Sequence, residues 1–169
     1  MGASSVQPRT PPRGEVMTVP ILLLKHGLLL FWAFWLSITW LTNACDGLKA
    51  LRLLGAGWRV ASGNYARMVE TTQKYALPRW LTALLFLGVV LWQGLAAGLF
   101  WGAIGAFQGM HGPGLERLYT AFGVSLALWA ALMLADELLL VYEVEAPHMR
   151  IFMAQLISLL VLHLVPDGR

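Results

Sequence analysis

Two adjacent carboxylates, Asp136 and Glu137, interrupt an otherwise apolar stretch of this sequence. An ionised carboxylate at membrane depth is expensive, so it is normally paired with another polar group or faces water. If the stretch is helical, Glu143 lies on the face of Asp136 and Glu145 lies on the face of Glu137. Two uses follow. Either the acids form an ion-paired cluster that anchors a neighbouring loop, or Asp136 and Glu137 form a proton or cation site.

A second pattern overlaps this one, because Glu145 and His148 have the Glu-x-x-His spacing found in di-iron carboxylate bundles. Such bundles need a second copy of the pair and further glutamates, whereas this chain has a single copy that contains Pro147. We therefore predict no metal and favour ion pairing. The members of this candidate intramembrane acidic cluster are Asp136, Glu137, Glu143, Glu145 and His148.

Histidines are the other residues that could do chemistry. His26, His111 and His163 fall on the membrane side opposite the acids when successive apolar stretches alternate in direction. His26 and His163, on different helices, could ligate a haem iron or hydrogen-bond a quinone. The interpretation we favour is that both hydrogen-bond backbone or lipid at the interface. The sequence therefore predicts no cofactor.

No other pattern indicates catalysis. We find no glycine-rich phosphate loop after a strand, and no nucleophile, base and acid at a recognisable spacing. Cys45 is the only cysteine, which excludes an intramolecular disulfide and a metal site built from several cysteines. We expect a protein that is not an enzyme.

Composition places these residues in a membrane. The 169 residues are 58% hydrophobic and 12% charged, whereas a soluble domain is about 45–50% apolar and about 25% charged. The formal net charge of +3 is small, and the basic residues concentrate in one loop. We therefore expect affinity for lipid headgroups and none for nucleic acid.

Four apolar stretches are candidates to cross the bilayer, which takes about 20 residues of helix. They predict an all-α fold, a four-transmembrane-helix bundle that forms a single integral membrane domain at 19–169. A polar tail at 1–18, rich in proline, is predicted to be disordered. Lys25, in the first span, is expected to extend to the interface. The predicted spans are about 19–41, 80–107, 118–142 and 148–165.

The segment 42–79 is predicted to be a long amphipathic loop between helices 1 and 2 of the bundle. Loops beyond about 12–15 residues usually have structure of their own. Helical spacing predicts one short helix at 46–54 and another that starts at Ser62 or Asn64 and stops before Pro78. Both are expected on the membrane surface. The basic residues favour a cytoplasmic loop in a multi-pass protein of the cell (plasma) membrane.

The second span carries a row of glycines at helical spacing, which makes a groove where another backbone can come close. The third span carries a matching row of alanines, and we predict that the two rows pack together. The alternative is that the groove contacts another chain. Gln93, beside the groove, is expected to face protein, because an unpaired amide in hydrocarbon is costly. The members of this candidate helix-packing groove are Gly94, Gly98, Gly102, Ala127, Ala131 and Ala135.

Three functions remain open from the sequence. The first is a non-catalytic accessory or assembly component of a larger membrane complex, partnered by the lipid bilayer and by a protein or a second copy through the groove. The second is a small homo-oligomeric transporter or channel, proton- or cation-linked, that uses Asp136 and Glu137. The third is a haem- or quinone-binding redox subunit that uses His26 and His163.

Overall fold

The chain is a bundle of helices throughout the residues that the structure describes. The computed structural model describes residues 15–55, 57–107 and 114–167, with side chains from Ile21 onwards, and these ranges contain no strand. The predicted all-α fold with four candidate membrane spans is confirmed, because four of the helices are long and apolar enough to cross a membrane. The helices are α1 (Glu15–Ala50), α2 (Asn64–Gln73), α3 (Arg79–Ala106), α4 (Leu115–Leu138) and α5 (Tyr142–Leu164). The first 14 residues of the predicted tail lie outside the described ranges.

The four long helices pack in chain order, α1 on α3, α3 on α4 and α4 on α5. The core between them combines small and aromatic side chains. Ala96 and Ala103 of α3 are fully buried, and Phe100 meets Phe122 of α4 edge to face at 4.9 Å between ring centroids. In lipid, close packing of this kind replaces the hydrophobic effect as the source of helix association.

Helix α1 is longer than the sequence predicts. It continues through 42–50 as one helix of 36 residues, so the separate helix predicted at 46–54 is wrong. Asn43 and Asp46 fall in the segment predicted to be a loop, but both are buried and hydrogen-bonded to side chains of neighbouring elements. Because their polar groups are satisfied inside the bundle, the helix does not have to end at them. Its end comes near Arg52, which has a left-handed φ of 60°.

Helix α2 begins within the predicted region and is held by α1 and α3. The carboxylate of Asp46 accepts hydrogen bonds from the Tyr65 backbone N–H at 2.7 Å and from the Ser62 hydroxyl at 3.2 Å. This contact caps the start of α2 from outside, because Gly63 immediately before it has no side chain to do so. The hydroxyls of Thr72 and Thr82 lie 2.8 Å apart and join α2 to α3. The loop is therefore shorter than predicted, and its position on the membrane surface stays a prediction.

The first and last helices are joined near one end of the bundle by a buried ion pair. The Lys25 ammonium lies 2.6 Å from a carboxylate oxygen of Asp167 and also donates to the Val165 carbonyl at 2.5 Å. Lys25 is 0% exposed, so the prediction that it extends to the interface is wrong. The segment after α5 brings the Asp167 carboxylate and the Val165 carbonyl to the ammonium. The ammonium is then satisfied without interfacial water.

Candidate functional site

The predicted acidic cluster contains one close pair, Asp136 and His148, where α4 ends and α5 begins. A carboxylate oxygen of Asp136 lies 2.5 Å from Nδ1 of His148, and the two side chains are 10% and 22% exposed. A tight turn sets this distance. Leu140 adopts a left-handed φ of 52°, and the Val141 N–H donates to the Asp136 carbonyl at 2.9 Å. The chain reverses directly after Asp136, which brings the start of α5 back to it.

The glutamates of the predicted cluster are arranged differently. Glu137 and Glu143 are exposed and Glu145 is half-buried. Among the described residues, no group of three or more histidine, cysteine, aspartate or glutamate side chains could hold a metal ion. Helix α5 starts at Tyr142 and runs through Pro147 without a break, so this proline does not interrupt the helix. Within the described ranges, the structure thus pairs Asp136 with His148.

The histidines at the opposite end of the spans each have a partner of their own. Nδ1 of His26 lies 2.9 Å from the Leu22 carbonyl, and its ring meets Phe107 edge to face. Nδ1 of His163 lies 2.6 Å from the Tyr119 hydroxyl. These contacts do not join the two histidines to each other, and a haem or quinone role for them stays a prediction. His111 lies outside the described residues.

The predicted packing between the glycine and alanine rows is not formed. A Cβ on Gly94 would meet Trp40 of α1, whereas a Cβ on Gly98 or Gly102 would have no neighbour within 4 Å in the part of the chain that the structure describes. Gly98, Gly102 and Ala127 are exposed. Helix α3 instead faces α4 through Phe100, whose ring meets Phe122, and the buried Ala96 and Ala103 lie one turn to either side of Phe100 on the same helix face.

The exposed glycines border a shallow groove between α3 and the first turns of α4. This groove has a volume of about 400 Å³ and is also lined by Leu99 and by three polar residues of α4. All three polar residues are exposed. We call this surface the open glycine face and define it by Gly98, Gly102, Glu116, Arg117 and Thr120.

The facing sides of α4 and α5 carry a row of polar groups. The amide of Gln155 donates to the Ser125 hydroxyl at 2.8 Å, and both residues are fully buried. Trp129 lies between this contact and the Asp136–His148 pair, with its ring centroid 5.7 Å from that of His148. We call this row the polar seam and define it by Ser125, Trp129, Asp136, His148 and Gln155.

Sequence reasoning missed most of the polar seam, although a signal was present. His148 and Gln155 are spaced so that they share one face of a helix, and Ser158 lies on the same side. Ser158 accepts a hydrogen bond at 3.0 Å from the indole of Trp32 on α1. A polar face inside an apolar span indicates contact with protein, since lipid cannot satisfy it.

A second set of polar contacts joins α1, α2 and α3. The Asn43 amide donates to the Gln93 side-chain oxygen at 2.8 Å, and the Asn64 amide donates to Asn43 at 2.9 Å. Gln93 is only 3% exposed, which confirms the prediction that it faces protein. The buried amides of Asn43 and Gln93 fix how α1 and α3 lie against each other, because a shift along either helix would leave them unpaired.

Comparison with protein-family models, curated proteins and solved structures gives no match to this chain. Its class therefore rests on the fold: a helical bundle with four helices able to span a membrane.

Proposed function

We propose that this protein is a non-catalytic integral membrane component that assembles with another transmembrane polypeptide through the open glycine face. The observation that carries the proposal is the exposure of Gly98 and Gly102, where an added Cβ would have no neighbour within 4 Å among the described residues. A small-residue groove of this kind is the usual place for close helix contact in lipid. Here it is not used within the described chain.

The energetics of glycine support this use. Glycine in a helix interior costs about 1 kcal/mol relative to alanine, and the packing of the described residues does not require glycine at either position. A partner helix that approaches the bare backbone would gain van der Waals contact in return. Glu116 and Arg117 are exposed at one end of the groove and offer charges of both signs to the partner.

The substitution Gly98→Leu tests the proposal, because it fills the groove and has space for its side chain in the isolated chain. We expect the variant to keep its helical content and to lose its partner or second copy in gentle detergent, as read by native mass. Gly88→Leu is the matched control, since Gly88 is also exposed on α3 with nothing within 4 Å. If Gly98→Leu leaves assembly unchanged, the open glycine face is not an interface.

A second candidate function, proton- or cation-linked transport by a small homo-oligomer, is favoured by the Asp136–His148 pair. A buried carboxylate beside an imidazole is an arrangement that can accept and release a proton. In this alternative Asp136 carries the exchanged charge, and the exposed Glu137 lies on the approach to it.

Flux into vesicles tests the transport function. Asp136→Asn is expected to abolish a proton- or cation-linked flux while folding stays intact, and Glu137→Gln is expected to reduce it. Glu70→Gln is the control, because Glu70 is an exposed carboxylate on α2. Flux that is unchanged in Asp136→Asn would exclude this function.

We further propose that the protein resides in the plasma membrane with α2 on the cytoplasmic side. The support is the cluster of exposed basic residues on and around α2, which includes Arg59, Arg67, Lys74 and Arg79. An Arg67→Cys variant should react with a membrane-impermeant maleimide only after the cells are opened. Cys45, the native cysteine, is buried and should react little. Labelling of intact cells would reverse the orientation.

A further inference from the structure

Two buried polar atoms in the polar seam have no hydrogen-bond partner among the described residues: the indole Nε1 of Trp129 and the side-chain oxygen of Gln155. Trp129 is 2% exposed and Gln155 is 0% exposed. A buried polar group that makes no hydrogen bond costs about 1–3 kcal/mol. Lipid cannot offset that cost, because hydrocarbon neither donates nor accepts.

The two atoms belong to neighbouring layers of one interface. Gln155 of α5 is bonded to Ser125 of α4, and Ser125 lies one turn before Trp129 on the same helix face. Trp129 and Gln155, which hold the two unpartnered atoms, are therefore about one helical turn apart along the seam.

We propose that the polar seam binds an ordered water molecule that accepts a hydrogen bond from Trp129 Nε1 and donates one to the Gln155 side-chain oxygen. Water fits this pair because it both accepts and donates, and internal waters typically make about three hydrogen bonds to otherwise unsatisfied buried groups. The conclusion does not depend on how the amide is oriented. If its oxygen and nitrogen exchange places, water can accept from the amide and the indole together.

The water joins the indole of Trp129 to the Gln155–Ser125 contact. On one side of Trp129 lies the Asp136–His148 pair, and on the other lies the Gln155–Ser125 contact. With the water bound, every member of the seam is satisfied, and the ring of Trp129 lies between its polar contact and the ion pair. This inference is independent of the partner at the open glycine face and of any transport function.

Nuclear magnetic resonance of the ¹⁵N-labelled protein in detergent tests the proposal. We expect a cross-peak between the Trp129 indole proton and water, assigned by its loss in Trp129→Phe. Trp32 is the internal control, because its indole is 4% exposed and donates to Ser158 at 3.0 Å. Its proton should show no cross-peak with water. The variant Gln155→Leu should abolish the Trp129 cross-peak and leave the Trp32 resonance in place.

Two results would overturn the proposal. One is a Trp129 indole proton without a water cross-peak, particularly if it is shifted upfield as in contact with the face of a neighbouring ring. The other is a cross-peak that persists in Gln155→Leu. If Gln155→Leu does not fold, the comparison of Trp129 with Trp32 in the unchanged protein decides the question on its own.

Discussion

Removing the carboxylate of Asp167 is expected to destabilise the whole bundle, although this residue lies beyond the last helix. Lys25 is fully buried, and its ammonium lies 2.6 Å from the carboxylate. In Asp167→Ala the ammonium keeps its hydrogen bond to the Val165 carbonyl but loses its opposite charge. It then has to remain buried with one neutral partner or pull α1 away from the end of α5.

The structure sets the size of the effect. Breaking a buried ion pair by removing one partner costs about 3–5 kcal/mol, because the remaining charge has no compensation. The Val165 carbonyl, which keeps its hydrogen bond to Lys25, offsets part of this cost. We therefore expect Asp167→Ala to lower the free energy of unfolding by about 3 kcal/mol. That is roughly a hundredfold increase in the unfolding equilibrium constant, at about 1.4 kcal/mol for each factor of ten.

The double variant Lys25→Met/Asp167→Ala shows whether the loss of stability comes from the uncompensated charge or from lost packing. Replacing both charges of a buried pair by apolar groups is often neutral, so we expect the double variant to be more stable than Asp167→Ala. Unfolding in detergent, followed by tryptophan fluorescence, measures both. If Asp167→Ala unfolds like the unchanged protein, the ammonium has access to water. If the double variant is no more stable than Asp167→Ala, packing rather than charge accounts for the loss.

Two further predictions concern contacts of α1. A Cβ at Gly94 would lie 2.8 Å from Trp40 Nε1, so Gly94→Ala should displace that partly exposed indole, and this contact should cost about 1 kcal/mol of unfolding free energy or more. Gly98→Ala meets no such contact and should gain up to about 1 kcal/mol from helix propensity, so Gly94→Ala should be the less stable of the two; equal stabilities would contradict the α1–α3 geometry. Asp46→Ala removes the acceptor 2.7 Å from the Tyr65 N–H and should cost about 1–2 kcal/mol, seen as faster hydrogen exchange in α2. Unchanged exchange would mean that α2 is held by other contacts.

The spans could be predicted from sequence because their signal is local. About 20 predominantly apolar residues suffice for a crossing helix. The first three stretches supply this length on their own, and the fourth, predicted at 148–165, is shorter and reaches it only with the residues that precede Ile151. The inward direction of Gln93 was predictable for the same reason, since lipid offers no partner to an amide. Neither inference needs knowledge of which helices are neighbours.

The end of the first span could not be predicted, because it depends on distant partners. Asn43 and Asp46 are polar and read locally as the start of a loop. In the structure their partners are Gln93 on α3 and the backbone at the start of α2. Lys25 shows the same dependence, since its partner Asp167 is 142 residues away in the chain.

The acidic cluster was predicted as a set of residues but not as an arrangement. Adjacent acids on a helix must point in different directions, and sequence alone does not say which one faces inwards. The turn at Leu140 directs Asp136 to His148 and leaves Glu137 exposed. Two faces of α3 are rich in small residues. Which of them packs against α4 likewise depends on the rotation of the helix about its axis, which no local pattern encodes.

The most direct test of the account is to ask what covers the open glycine face in the intact membrane. A photoreactive benzoylphenylalanine can be placed at Thr120, which is exposed on that face, and, as a control, at Ile157, which is 55% exposed on α5. The account predicts that irradiation at position 120 joins the 18.6 kDa chain to a second polypeptide, and that Gly98→Leu prevents this while position 157 gives lipid adducts. Lipid adducts alone at position 120 would contradict it.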